Sequence, residues 1–149
     1  MRRLLLTFGL AVSLSALGAS SALAAPEGAQ KAPLFGPESS LFCSGGTPTT
    51  NTFGFVVLNT PGDESTLTGK VVLKGAAPNT TYNVADLQIK GPACAGHFRG
   101  SQIHTNGQGN GTVKFTVLRD PEFTEFAVAV TTALFPLDNA FISPAVELD

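Results

Sequence analysis

The chain has 149 residues, 43% of them hydrophobic but only 13% charged, with a formal charge of −2. That hydrophobic share, with 11 phenylalanines, excludes a disordered chain, and the scarcity of charge argues against a helical bundle built on Glu, Lys and Arg. One domain of short strands and turns fits the 16 Gly and 10 Pro.

Arg2 and Arg3 precede an apolar run from Leu4 to Leu17, and Ala22-Leu23-Ala24 follows. A positive start, a short apolar stretch and a small-x-small end make a secretory signal covering residues 1–24. The run is too short for a membrane anchor, and Arg2-Arg3 stands too near the start for a twin-arginine signal. The expected product is secreted or held in the cell envelope, with no transmembrane anchor after processing. The alanine-rich leader is bacterial in character. Loss of Arg2 and Arg3 takes the formal charge from −2 to −4. No Lys/Arg cluster is visible along the chain, which excludes nucleic acid and anionic lipid as expected partners.

Cys43 and Cys94 are the only cysteines. In an exported chain an even count implies a disulfide. Closing a loop of about 50 residues contributes about 4 kcal/mol on the chain-entropy view. A metal-binding thiolate pair would need a CxxC spacing that is absent.

Residues 25–40 hold three prolines and two glycines without periodicity and read as a flexible leader, leaving 41–149 as one folded domain. Leu41-Phe42-Cys43 suits a short first strand. Phe53-Gly54-Phe55-Val56-Val57-Leu58 is apolar on both parities and predicts an interior strand. A turn at Asn59-Thr60-Pro61-Gly62-Asp63 leads to a strand over 66–74, where Gly69 predicts a bulge. Over 81–89, Tyr82 and Val84 share one parity but Leu87 and Ile89 the other. That change of phase predicts a β-bulge near Ala85-Asp86.

Lys74-Gly75-Ala76-Ala77-Pro78-Asn79-Thr80-Thr81-Tyr82-Asn83-Val84 resembles the L-x-P-x-T-x-Y-x-V signature of fibronectin type III and related immunoglobulin-like domains. The resemblance covers about a tenth of the chain. Gly75 stands where Leu is commoner, and the usual early Trp is absent because the chain has none. It implies a sandwich with Tyr82 at a sheet corner, its hydroxyl bonded back to the backbone.

Gly91-Pro92-Ala93-Cys94-Ala95-Gly96-His97 reads as a loop. From Gly100 to Leu118 the pattern is strand, glycine-rich turn, strand, with Val113, Phe115 and Val117 alternating with Thr112, Lys114 and Thr116. Asn106-Gly107 and Asn110-Gly111 favour left-handed backbone, so a hairpin of two paired strands is expected. A strand over 123–133 carries Phe126, Val128 and Val130 on one parity. A last strand over 140–148 holds Pro144, which predicts a sheet edge. Seven or eight short strands at this spacing make an all-β, immunoglobulin-like antiparallel β-sandwich with one disulfide.

No Gly-x-Ser-x-Gly turn, His-Glu-x-x-His helix or phosphate-cradling loop is present. His97 and His104 are the only histidines, and with Asp86 or Asp120 they are the one candidate metal pair. Their spacing of seven puts them on opposite strand faces unless a bulge intervenes. Glu122 with Glu125, or Asp63 with Glu64, are nominal carboxylate pairs that as turn acids read as solvated. Asn79-Thr80-Thr81 and Asn110-Gly111-Thr112 match the glycosylation acceptor pattern. No cofactor is implied. The expectation is a secreted non-enzymatic module, binding an unidentified protein or surface ligand or serving in the envelope. Its working face would be the loops at 91–99 and 106–111, through His97, Arg99, Asn106, Gln108 and Asn110. The alternatives are a small hydrolase or metal-binding protein using His97 and His104, and a protease inhibitor presenting the loop beside Cys94.

Overall fold

The computed structural model describes residues 28–38, 45–46, 49–59, 65–133 and 140–147, with the backbone alone at 37, 38, 98 and 99. The expected signal segment, the Leu41-Phe42-Cys43 strand and the turn at 60–63 lie outside the described residues. Among the described residues nine strands follow in chain order: β1 (Ala29–Glu38), β2 (Thr52–Asn59), β3 (Thr66–Leu73), β4 (Thr81–Lys90), β5 (Ala93–His104), β6 (Gly111–Leu118), β7 (Glu125–Thr131), β8 (Ala140–Ile142) and β9 (Val146–Glu147). There is no helix among the described residues.

All pairings are antiparallel, in the order β5-β4-β7-β8-β1-β2-β3-β6, with β9 also on β7. The sheet curls so that its two end strands, β5 and β6, approach one another. Its concave side holds one core, with Leu34, Val56, Leu58, Val71 and Phe115 from one half meeting Tyr82, Val84, Ile103, Phe126 and Val128 from the other.

In β3 and β6 the sequence alternation is the burial alternation. Leu67, Val71 and Leu73 of β3, and Phe115 and Val117 of β6, face inward, while Lys70, Lys114 and Thr116 are exposed. Gly69 does not bulge, because both neighbouring registers run through it unbroken. It lies directly opposite Phe115, and a Cβ there would fall 2.1 Å from the ring. The glycine is the space into which the phenylalanine folds.

Strand β4 obeys a different rule. Tyr82 and Val84 enter the main core, while Ala85, Leu87 and Ile89 join Ala127, Ala129, Ala140 and Ile142 in a second cluster on the convex side, with Cys94 and Ala145 against it. The change of phase therefore marks a change of buried face. The β4–β7 register is continuous through it, and the irregularity sits in β5, which fits Phe98 to Gln102 opposite Ala85 to Asn83. Gly100 there has φ +76, which glycine adopts without strain.

Three further expectations change. Residues 29–38 of the presumed leader form β1, paired on both sides and burying Ala32, Leu34 and Phe35. The expected last strand is interior in its first part, where β8 lies between β7 and β1, while β9 beyond Pro144 pairs with β7 alone. Pro144 is accommodated because the strand breaks beside it into β8 and β9, and the Ser143 hydroxyl accepts the Val128 N–H at 3.0 Å. Most consequentially, β5 and β6 do not pair with each other. The Asn-Gly turn between them is an arch joining the two ends of the curled sheet, because β5 finds its partner in β4 and β6 in β3.

Candidate binding site

Two connections cross between the halves side by side: residues 74–80 from β3 to β4, and 105–110 from β5 to β6. They are stitched together. Asn79 N–H donates to Asn106 O at 3.1 Å, Ala76 N–H to Gly109 O at 3.1 Å, and Thr105 N–H to Thr80 O at 2.9 Å. The buried Thr105 hydroxyl donates to Ala77 O at 2.7 Å and accepts the Thr80 N–H at 2.9 Å. Inside the second arch Asn106 Oδ1 accepts the N–H groups of Gln108 and Asn110 at 2.9 and 3.0 Å, an Asx turn that fixes the tip. Asn110 Oδ1 in turn accepts the Gly75 N–H at 3.3 Å. Gly109, at φ +74, packs so close that a Cβ would meet Ala76 O at 2.0 Å. Two arches that look like mobile loops are thus one hydrogen-bonded end of the molecule.

Beneath it lies an open cleft of about 280 Å³, lined by Phe53, Gly75, Ala76, Ala77, Tyr82, Thr132 and Phe141. Its floor is aromatic. The Phe53 and Phe141 rings stack at 4.7 Å and 25°, and Tyr82 meets Phe141 at 5.7 Å and 47°. The Tyr82 hydroxyl accepts the Ala77 N–H at 3.1 Å, five residues back, so the side chain props the first arch open over the rings. A mostly apolar concavity with the hydroxyls of Tyr82 and Thr132 and a few backbone groups can take up an apolar or aromatic moiety and orient it. Of the lining residues, Gly75, Ala76, Ala77 and Tyr82 fall in the stretch that carries the resemblance. Phe53 near the start of β2 and Phe141 in the middle of β8 stand far apart in the chain.

No protein-family model matches the chain. Neither does any curated protein or any solved structure.

The sequence-expected residues distribute differently from the single working face. Residues 91–99 are not a loop: Gly91-Pro92 is a two-residue turn, and β5 begins at Ala93. That turn caps one end of the β4–β5 hairpin, while Asn106, Gln108 and Asn110 lie beyond its other end. The β4 segment between them has 10 residues, about 30 Å at strand rise, so the two sets form no common surface. Cys94 and His97 lie on β5, which removes the exposed loop that suggested an inhibitor. Arg99 is in β5 too, its side chain outside the described residues. Asn79 is exposed with φ +50, and Asn110 is exposed at the arch.

His97 and His104 are not brought together. His97 pairs with Asp86 and His104 with Thr81, five residues apart on β4, roughly 17 Å and on opposite faces. Among the described residues no group of three or more His, Cys, Asp and Glu could hold a metal ion. His104 Nδ1 lies 3.1 Å from the Thr81 hydroxyl. His97 Nδ1 lies 3.4 Å from Oδ2 of Asp86, whose side chain is 2% exposed against 45% for the imidazole. Gln88 completes this cluster: its Nε2 donates to Asp86 Oδ2 at 3.4 Å and to Leu118 O at 3.1 Å, and its Oε1 accepts the Asp120 N–H at 2.9 Å. The arrangement orients the imidazole and ties β4 to the connection between β6 and β7. It reads as a structural clasp.

Proposed function

We propose that this protein is an exported, non-enzymatic binding module, or an envelope component of that kind, whose ligand enters through the arch end. The aromatic cleft beside two mutually bonded arches carries the reading: a concave apolar floor under a rigid polar rim is the usual form of a recognition site. The ligand class is an apolar or aromatic group small enough for about 280 Å³, such as a side chain of a partner protein. Tyr82 is the only tyrosine and the chain has no tryptophan, so its emission reports the cleft directly. Titration with N-acetylphenylalanine amide and with aliphatic alcohols is expected to change Tyr82 emission saturably. The same titration of Ala77→Phe, which fills the cleft mouth, is expected to give no change. An unsaturable or identical response in the two proteins would refute the cleft as the site.

The finer fold assignment is an immunoglobulin-like sandwich. Taken as A, B, C, C′, E, F and G, strands β2 to β8 run A-B-E in one half and G-F-C-C′ in the other, with β1 as an additional strand at the join. Tyr82 departs from the family habit, since it stands on β4, the C strand, and not on the F strand that begins β7. The Cys43–Cys94 disulfide and the removal of residues 1–24 belong to the same reading. Cys94 is not a free cysteine. Intact mass and thiol labelling of the exported, denatured, unreduced protein test both. Two reactive thiols, or a retained leader, would sink that part.

A further inference from the structure

The convex face of the β1-β2-β3-β6 half gathers charge that the linear sequence disperses. Across the four strands Lys31 faces Val57, Val57 faces Lys70, and Lys70 faces Lys114, in one row about 15 Å long at the usual strand spacing. Lys74 is exposed and continues the parity of Lys70 just past β3. Four of the chain's five lysines therefore occupy this face. The fifth, Lys90, is on the other half, 3.7 Å from Glu122. No carboxylate among the described side chains lies on the lysine face. Asp86, Asp120, Glu122, Glu125 and Glu147 belong to β4, β7, β9 and the connection from β6 to β7.

The row is unfavourable in isolation. Lys70 and Lys114 are directly opposed in an antiparallel pair, where like charges destabilise. Lysines without an arginine fork meet charge density better than a fixed ligand geometry. Apolar groups are interleaved with them. Phe55, Val57 and Val72 are half-buried on the same face, and Lys31 Nζ sits 4.0 Å from the Phe55 ring centroid. At the far end of β6 on the same face stands Leu118, 66% exposed and the one large hydrophobic residue so exposed among those described. A single exposed leucine carries no message. One at the margin of a lysine row on a broad sheet face has a chemical partner.

We infer that this face docks on an anionic lipid bilayer. The lysines neutralise headgroup charge, Leu118 reaches the interfacial layer, and the acids of the other half turn the molecule so that the basic face leads. A convex sheet face offers no groove for a polymer strand, whereas docking on a bilayer needs none. This surface is separate from the cleft, so either can fail without the other.

Vesicle co-sedimentation of the full chain tests the inference, comparing phosphatidylcholine alone with phosphatidylcholine carrying about one phosphatidylglycerol in three, where each bound lysine adds roughly fivefold to partitioning. Preferential binding to the anionic vesicles is expected, falling as salt rises from about 0.1 M to about 1 M and the Debye length shrinks from ~10 to ~3 Å. Lys31→Gln/Lys70→Gln/Lys114→Gln is expected to lose on the order of 100-fold in partitioning, while Lys90→Gln binds as the parent does. Any leader contribution is common to all variants and cancels. Leu118→Trp supplies the chain's sole tryptophan, whose emission should shift to the blue on anionic vesicles only. Equal binding of the triple variant and the parent, or equal binding to both vesicle types, overturns the inference. So does lysine-dependent capture of soluble dextran sulfate without vesicle binding.

Discussion

In β3 and β6 every second side chain is more exposed than its neighbours, whereas in β4 and β7 both parities are buried over most of the strand. The two halves share one curled sheet and one concave core, yet the convex side of one mixes lysine and threonine with the half-buried Phe55, Val57 and Val72, and that of the other is alanine, leucine and isoleucine. The contrast shows that a strand's alternation reports its cover and not its existence: a half-solvated strand alternates, and a doubly covered one reads as a continuous apolar run. It also separates the roles. The alternating half is free to meet something outside the molecule, and the other half is occupied with holding itself together.

The sharpest test pairs one convex-face residue from each half. Leu87→Ala should lose about 2–5 kcal/mol in denaturant unfolding, because the second cluster cannot refill the space. Thr116→Ala on exposed β6 should stay within about 0.5 kcal/mol. Similar losses for the two would erase the distinction between the halves. Next in size, Gly69→Ala should cost about 1–3 kcal/mol by driving a methyl into Phe115. Adding Phe115→Leu should recover part of that loss, and simple additivity in the double-mutant cycle would show that the two do not share the space. Thr105→Val tests the stitched arches that join the halves. It strands the Thr80 N–H and is expected to cost roughly 1–2 kcal/mol, with faster amide exchange at Thr80. The smallest effect has the opposite sign. Lys70→Gln should stabilise by a few tenths of a kcal/mol through relief of the Lys70–Lys114 repulsion, visible as a slightly raised Tm at low salt and none at high salt.

Strand content was legible wherever one face is wet. Leu67, Val71, Leu73, Phe115 and Val117 are placed by parity alone, whereas on β7 Phe126, Val128 and Val130 share a parity but the alanines between them are buried as well. What the sequence could not carry is partnership. Asn106-Gly107 and Asn110-Gly111 specify a tight reversal but not whether the strands it joins pair with each other. Here each strand has a better neighbour, and the reversal becomes a crossing. Pro33 and Pro37 made β1 look like a leader, although a strand with a register shift near Pro33 tolerates them. The cleft escaped notice because Phe53, Tyr82 and Phe141 come from three strands. The lysine row escaped for the same reason: positions 31, 70, 74 and 114 form no run, and only the registers of β1, β2, β3 and β6 align them.

The join between the halves rests on β1 and β8, which meet at Phe35 with Ile142 and at Glu38 with Ala140. These two strands lie about a hundred residues apart in the sequence, so until β8 is made the emerging chain holds two incomplete sheets with open edges. The main core can close only when residues 140–147 arrive. A product cut before residue 140 would present β1 and β7 as unpaired edges, the species that chaperones and proteases recognise.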